Sequence, residues 1–356
     1  MNKTVNVLSV SGGKDSAAMW IYATKELDVE VLPVFADTGH EHPLTYEYLN
    51  YLEQQLGPIK RVKADFTERI ARKRIYVQNH WTRKLTLDVE GHWYTERIED
   101  DETEREPVPK WEPEDKAVEG LKIGGWIWQP FQKGMTETEA TFVVERALTV
   151  LHPTGIPFLD LCLWKGRFPS TKARFCTQFL KVEVIQEQVY EPLLLEGNDI
   201  VSWQGVRAEE SRARANLPER EDGKGFSVYR PLIHWKVDDV FEMHRRHGID
   251  PNPLYKLGMG RVGCMPCINC SKSELFEIAR RFPEEIARVA EWEQLVKLAS
   301  KRGAATFFPT AHGQGNGIHE WVDWSKTSYG GKQLDLVKAI EFENVPACSS
   351  AYGLCE

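Results

Sequence analysis

Residues 5–16 read Val5-Asn6-Val7-Leu8-Ser9-Val10-Ser11-Gly12-Gly13-Lys14-Asp15-Ser16, and the chain continues Ala17-Ala18-Met19-Trp20-Ile21-Tyr22-Ala23. The first part alternates like a strand and the last part reads as a helix. A Gly-rich loop between a strand and a helix lets backbone N–H groups close around a phosphate, and the helix N-terminus adds a favourable dipole. Two adjacent glycines, Gly12 and Gly13, allow close approach and positive φ. Lys14 supplies a point charge, and Ser11 and Ser16 supply hydroxyls. An ordinary strand–turn–helix connection is the plain alternative. The concentration of donors in six residues favours an anion site.

The loop is not of the Walker type, which has four residues between its first Gly and its Gly-Lys. The intact Ser-Gly-Gly-Lys-Asp-Ser resembles the PP-loop of the ATP pyrophosphatases. That resemblance implies a loop holding the β,γ-pyrophosphate of ATP, attack at the α-phosphate, and an adenylated substrate with pyrophosphate as products. The group includes adenylating synthetases, sulfur-inserting enzymes, the small subunit of ATP sulfurylase and the phosphoadenosine-phosphosulfate (PAPS) reductases.

At 356 residues, 42% hydrophobic and 28% charged, the chain has the composition of a globular enzyme of one large domain or two. No apolar run approaches the ~20 residues of a membrane span. Met1-Asn2-Lys3-Thr4 leads straight into a strand without a signal-peptide pattern, so the expected location is cytoplasmic. In that compartment seven cysteines suggest thiols or metal ligands rather than disulfides. The net charge of −8 argues against a uniformly basic nucleic-acid-binding surface. Residues 60–84 nevertheless hold nine Lys or Arg and two acids, and the balance reverses over 96–115. The basic run is either a solvated face or a surface that meets a phosphate-rich substrate.

Strands are expected over 4–10, 30–37 and 59–64, and helices over 15–27 and 43–56. This alternation implies a parallel sheet with helices on both faces, with ligands outside the carboxyl ends of its strands. Asp37-Thr38-Gly39-His40 lies at such an end and resembles the Asp-Thr-Gly that PAPS reductases and ATP sulfurylases carry after their second strand. Residues 85–150, rich in Trp, Glu and Pro, break the pattern and read as a partly β insertion that covers or flanks the site. A helical pattern, 179–194, precedes a strand over 199–204. From about 246 the chain is helical and carries cysteines. The expected organisation is a PP-loop domain over 1–245 and a helical region with a cysteine metal site over 246–356.

Gly205-Val206-Arg207-Ala208-Glu209-Glu210-Ser211-Arg212-Ala213-Arg214 follows that strand. The planar fork of Arg can bond two oxygens of phosphate or sulfate at once. An exposed helix start is the alternative. The segment is similar to the Gly-Leu-Arg-x-x-x-Ser-x-x-Arg of PAPS reductases, which implies that Arg207, Ser211 and Arg214 contact phosphate and sulfate groups. In Lys172-Ala173-Arg174-Phe175-Cys176-Thr177-Gln178-Phe179-Leu180-Lys181, nearby cations favour a thiolate at Cys176, either nucleophilic or metal-bound. This segment resembles the Arg-x-Cys-Thr-x-x-Leu-Lys element of PAPS-reductase-like proteins, including the ATP-pyrophosphatase component of DNA phosphorothioation systems. Iron–sulfur reductases have a Cys-Cys pair there. Phe175 replaces the first, so their four-Cys set is incomplete.

Cys264-Met265-Pro266-Cys267 lets two thiolates reach one metal, Cys270 follows, and Cys348 and Cys355 lie at the far end. One ligand set is Cys264, Cys267, Cys348 and Cys355, holding zinc or a [4Fe–4S] cluster. Another places Cys176 with Cys264, Cys267 and one further thiol, as the reductases' arrangement suggests. A redox pair without metal is the third possibility. Cys162 is expected in the core, and His40, His42, His234 and His244 are structural residues or additional soft ligands. Pro231-Leu232-Ile233-His234-Trp235-Lys236-Val237-Asp238-Asp239-Val240 also resembles a PAPS-reductase-like segment and is assigned to packing.

The resemblance covers about 1–65 and 170–280. It implies an α/β, doubly wound, mostly parallel sheet of the adenine nucleotide alpha-hydrolase-like kind. The implied activity is adenylyl transfer from ATP in the service of sulfur transfer, with Lys14, Arg207 and Cys176 catalytic. Ser11, Gly12, Gly13, Lys14, Asp15, Ser16, Asp37, Thr38, Gly39, Arg207, Ser211 and Arg214 would bind the nucleotide, and Asp15 or Asp37 would position Mg²⁺. A sulfur-donor protein and a nucleic-acid acceptor are the partners considered, with no membrane. Two rivals stand beside this reading. One is PAPS reduction to sulfite, against which the intact loop and the missing Glu-Cys-Gly-Ile-His tail argue. The other is a non-catalytic nucleotide- or nucleic-acid-binding protein with a zinc knuckle.

Overall fold

The computed structural model of the chain describes residues 3–94, 122–123, 126–223, 225–308 and 317–327. In chain order the strands among them are β1 (Thr4–Ser9), β2 (Val31–Asp37), β3 (Lys60–Lys63), β4 (His92–Tyr94), β5 (Lys122–Ile123), β6 (Trp126–Gln129), β7 (Asp199–Trp203), β8 (Arg220–Asp222) and β9 (Ser227–Tyr229). Six of them form the main sheet in the order β3-β2-β1-β7-β9-β8, and β4-β6-β5 form a small antiparallel one. All pairs of the main sheet are parallel except β8 with β9. Central β1 places Val7 opposite Leu32 on one side and Ser202 on the other. The chain runs outward from β1 to β3 and then returns to build the other half from β7. The order therefore reverses between β1 and β7, and at such a switch point an open α/β sheet has its ligand crevice.

Helices cover both faces. Leu8 of β1 packs with Met19 and Trp20 of α1 (Lys14–Ile21), Leu49 and Leu52 of α2 (Pro43–Leu56) and Val240 of helix Val237–His247. Val7 points the other way, toward Val184, Ile185, Val189 and Tyr190 of a helical stretch over 175–195. The helix expected over 15–27 is α-helical only to Ile21 and finishes as a π turn, Tyr22–Glu26. There Thr24 Oγ1 donates to the Trp20 carbonyl at 2.8 Å, a side-chain bond that competes with the regular ladder.

A third core lies beyond the sheet edge. It joins α3 (Thr67–Thr86), α4 (Glu137–Val150), α5 (Pro157–Lys165) and helices Lys272–Arg281, Pro283–Ala299 and Ile318–Ser325 around Trp81, Phe158, Trp292 and Phe307. The described part of 85–150 is thus the small sheet plus α4. A capping box of Thr136 with Glu139 starts α4, and its Ala140, Val143, Val144 and Ala147 are buried in this core. No helix among the described residues is long and apolar enough to cross a membrane.

Candidate active site

The loop after β1 is held from within and from a distant segment. Gly12 sits at φ +83°, and a Cβ there would stand 2.7 Å from Thr45 Cγ2, so this position requires glycine. Ser11 N–H donates to Ser16 Oγ at 3.1 Å, and Gly13 N–H to Ser11 Oγ at 3.3 Å. Lys14 N–H donates to Tyr255 Oη at 2.9 Å. The loop carbonyls are gripped too. Asn252 Nδ2 donates to the Gly12 carbonyl at 3.1 Å, and His244 Nε2 lies 3.1 Å from the Lys14 carbonyl. Burial holds His244 below the usual histidine pKa despite its two carbonyl neighbours, Lys14 and Ile249. Tyr255 and Asn252 were not legible as site residues, because about 240 positions separate them from the loop, and His244, considered above as a structural residue or soft ligand, serves here as a loop anchor.

Lys14 and Asp15 are both buried, and Lys14 Nζ lies 3.2 Å from Asp15 Oδ2. Arg207 comes in from the end of β7. Its side chain is fully buried, its Nε donates to Asp15 Oδ1 at 2.5 Å, and its Nη1 pairs with Glu209. Burial opposes this charge, but Asp15, Glu210 and Glu209 outweigh it and raise the guanidinium pKa above its ordinary value. Among the described residues Nη2 has no hydrogen-bond partner. A buried, charged N–H without an acceptor is costly, and it fits an anion at the switch point. Gly205 makes this closeness possible, since a Cβ there would lie 3.3 Å from the Asp15 carbonyl and the Ser16 nitrogen. The Arg207 segment is buttressed from Pro231-Leu232-Ile233, with Ala208 N–H donating to the Ile233 carbonyl at 2.8 Å. Arg214 is also buried and pairs with Glu210. Ser211 N-caps the short helix Arg212–Ala215 by accepting from Arg214 N–H.

The end of β2 supplies the third wall. Asp37 Oδ1 accepts from Gly39 N–H at 2.8 Å and from Tyr46 Oη at 2.7 Å. Thr38 Oγ1 donates to Glu41 Oε1 at 2.6 Å, and Tyr46 Oη also reaches Glu41 Oε2 at 3.1 Å. Buried Glu41 lies on the cleft, a site residue that sequence reasoning missed. His40 is a core residue. Its ring packs against Phe158 and Trp292, and burial first, then Arg288, keep it neutral. Its Nε2 therefore donates to the Pro266 carbonyl (2.9 Å), while Nδ1 accepts from Arg288 Nη2 (3.1 Å). Loop, β2 end and Cys264 turn border a narrow cleft lined by Ser9, Val10, Ser11, Ser16, Phe35, Ala36, Glu41, Lys181, Gly205 and Gly263.

The thiols gather at one side of this cleft. Met265 N–H donates to the His40 carbonyl at 2.9 Å, which docks the Cys264–Cys267 turn on the β2 end. Cys264 Sγ lies 3.6 Å from Thr38 Oγ1 and 3.9 Å from Glu41 Oε1. Cys267 is within electrostatic reach of Cys176, Cys264 and Cys270. The expected low-pKa thiolate at Cys176 is corrected. Burial pushes the thiol up to about 11, Cys267 adds to that, and the pull of Lys181 is smaller. Burial likewise raises Cys264 and Cys270. Thiols have the donor chemistry for a soft metal or cluster. Among the described residues, however, no three His, Cys, Asp or Glu side chains are arranged to hold a single ion. Cys162 is buried in the core, and Cys348 and Cys355 lie outside the described residues.

Residues 5–127 and 161–270 match the phosphoadenosine phosphosulfate reductase domain. The chain belongs to this family. Within the PAPS reductase family it is 45% identical to a 37.8 kDa protein of Escherichia phage 186, uncharacterised and encoded in the gpa 5′ region, over 99% of this chain and 97% of that one. It is 40% identical to adenosine 5′-phosphosulfate reductase of Allochromatium vinosum over 18% of this chain and 25% of that one. The same enzyme of Neisseria meningitidis is 33% identical over 29% and 42%. The match thus spans less than half the length of these two reductases. A PAPS reductase from Candida auris, solved as a phosphate complex, aligns with a TM-score of 0.36 at 16% identity, covering 73% of this chain and 80% of that one.

Proposed function

We propose that this PAPS reductase family member binds ATP in the cleft at the β1–β7 switch point and transfers its adenylyl group, releasing pyrophosphate, in the service of sulfur transfer. One observation carries this reading: a complete PP-loop faces a fully buried Arg207 whose Nη2 has no hydrogen-bond partner among the described residues. In this scheme the loop N–H groups not already donating to Ser16, Ser11 and Tyr255, the hydroxyls of Ser11 and Ser16, and Lys14 Nζ take the β,γ-phosphates, and Arg207 and Arg214 neutralise charge as the α-phosphorus is attacked. The acceptor forms a bond to the α-phosphorus, the α–β bridging bond breaks, and pyrophosphate leaves with its electron pair. Thr38 and Gly39 border the nucleotide, and Ser211 fixes the backbone that carries Arg214.

Asp15 is engaged by Arg207 and Lys14, so Asp37, with only Oδ1 taken, is the better placed of the two acids for Mg²⁺. Bound Mg²⁺ would supply charge neutralisation at the phosphates. A zinc ion or [4Fe–4S] cluster would be held either by Cys264, Cys267, Cys348 and Cys355, or by Cys176, Cys264, Cys267 and Cys270. Metal analysis after anaerobic purification of Cys348→Ser and Cys270→Ser separates these sets, because only a true ligand's loss lowers the metal content. If neither variant changes it, both sets are wrong.

The second reading, reduction of a sulfonucleotide to sulfite, is favoured by the matches to adenosine 5′-phosphosulfate reductases. Labelled ATP and labelled PAPS, each offered with a thiol reductant and candidate acceptors, decide between the two. Pyrophosphate release supports adenylyl transfer, sulfite supports reduction, and binding without either product removes both.

A further inference from the structure

A second concave surface lies on the far side of the helical stretch that borders the cleft. Arg69, Arg72, Lys73 and Tyr76 of α3 face Trp164 of α5 and Phe179 across an open groove of about 420 Å³. Lys165 Nζ stands 4.0 Å from the Trp164 ring centre and 4.3 Å from that of Phe179. The Arg69 guanidinium lies 5.1 Å and 5.0 Å from the same two rings.

Charge here is in excess. Arg69 pairs with Glu183 at 3.2 Å, and Arg72 with Glu68, both of which are largely exposed. Among the described residues Lys73 and Lys165 make no ion pair. Both ammonium groups are held below the ordinary lysine pKa, by burial first and, for Lys165, then by Arg167 and Arg69. The nucleotide site uses none of these residues.

We propose that this groove binds single-stranded nucleic acid, with bases stacked on the rings and phosphates on the cations. The alternation of ring and cation selects this partner. An acidic peptide would satisfy the charges but has no use for the flat faces, whereas a single strand offers both a polyanionic backbone and unstacked π-faces. Lys165 and Arg69 now rest on the rings. A phosphate draws each cation outward and leaves the ring face to a base. A duplex cannot make this exchange, because its bases are already stacked. Position adds a functional link. The 175–195 stretch carries Phe179 in the groove and, two residues on, Lys181 in the cleft. The groove and the cleft thus share one helical stretch. The acceptor role rests on the adenylyl-transfer reading. The binding does not.

The test is fluorescence anisotropy of labelled single-stranded DNA and RNA, about 15 nucleotides long, with the full chain and no ATP, across about 50–200 mM salt. The expected result is saturable, salt-sensitive binding. The double variant Arg72→Gln, Lys73→Gln should weaken it about tenfold and lower the salt slope by about 1.4, the value for two phosphate contacts on a single strand. Tyr76→Ala should weaken it at least about fivefold with the slope unchanged, as a lost stacking face would. Arg245→Gln, an exposed cation on another surface, should change neither. Melting temperatures confirm that each variant is folded. No binding by the wild type, equal binding of a duplex, or equal losses from Arg245→Gln would overturn the proposal. So would competition by polyglutamate as strong as that by the oligonucleotide, which would point to an acidic protein instead. ATP binding, measured separately, can fail without affecting any of these outcomes.

Discussion

Asp15 should act as the charge partner that keeps Arg207 in place, and Asp15→Asn isolates this role while preserving shape. The side chains are 1% and 0% exposed, and their contact is 2.5 Å. Removing one partner of a buried ion pair costs about 3–5 kcal/mol, chiefly by stranding the other charge. Glu209 still holds Nη1 and is itself 37% exposed, so the lower end, about 3 kcal/mol, is expected. At roughly 2–4 °C per kcal/mol, the melting temperature should fall by about 6–12 °C. A double-mutant cycle with Arg207→Met separates the pair from its surroundings. The Met variant leaves Asp15 with Lys14 as its one charge partner among the described residues, and the double variant should recover at least about 2 kcal/mol relative to the sum of the singles. Chemical denaturation at neutral pH measures all four corners. Additivity within about 0.5 kcal/mol would mean that the two charges do not depend on each other, and the argument for a preset Arg207 would fall.

Three further outcomes follow from the same geometry. Lys14→Ala should weaken ATP binding by about tenfold or more while leaving AMP nearly unchanged, because Lys14 is assigned to the distal phosphates; equal losses in calorimetric titrations would refute this. Gly12→Ala should destabilise the fold by about 1–3 kcal/mol, since a Cβ meets Thr45 at 2.7 Å in a left-handed conformation, and an unchanged denaturation midpoint would contradict it. His40 has a folded pKa held well below 6.5, so the unfolded chain binds the extra proton, and stability should fall as pH drops through 6.5. His40→Gln should flatten that slope by up to about 1.4 kcal/mol per pH unit, and an unchanged slope would place the acid sensitivity elsewhere.

The loop over 11–16 and the first five elements were legible because their signals are local. Donors sit at adjacent positions, α2 runs over the expected 43–56, and the β strands alternate. What escaped was of two kinds. Glu41 carried no pattern of its own and becomes a site residue only when Tyr46 and the Cys264 turn fold against it. Cys176 carried a misleading pattern. Lys172, Arg174 and Lys181 are its neighbours in sequence, but desolvation depends on the whole fold and dominates the thiol. Within the 85–150 segment, Thr136-x-x-Glu139 ahead of an apolar run is a local signal that marks the start of α4.

The grip of His244, Asn252 and Tyr255 on the loop has a consequence for anyone moving this motif between proteins. All three anchors come from a single stretch of twelve residues, so the hexapeptide and the 244–255 segment form one heritable unit divided across the chain. A chimera that receives residues 11–16 alone inherits the letters without the shape. One that receives both segments, on a sheet that brings them together, should inherit the nucleotide grip as well.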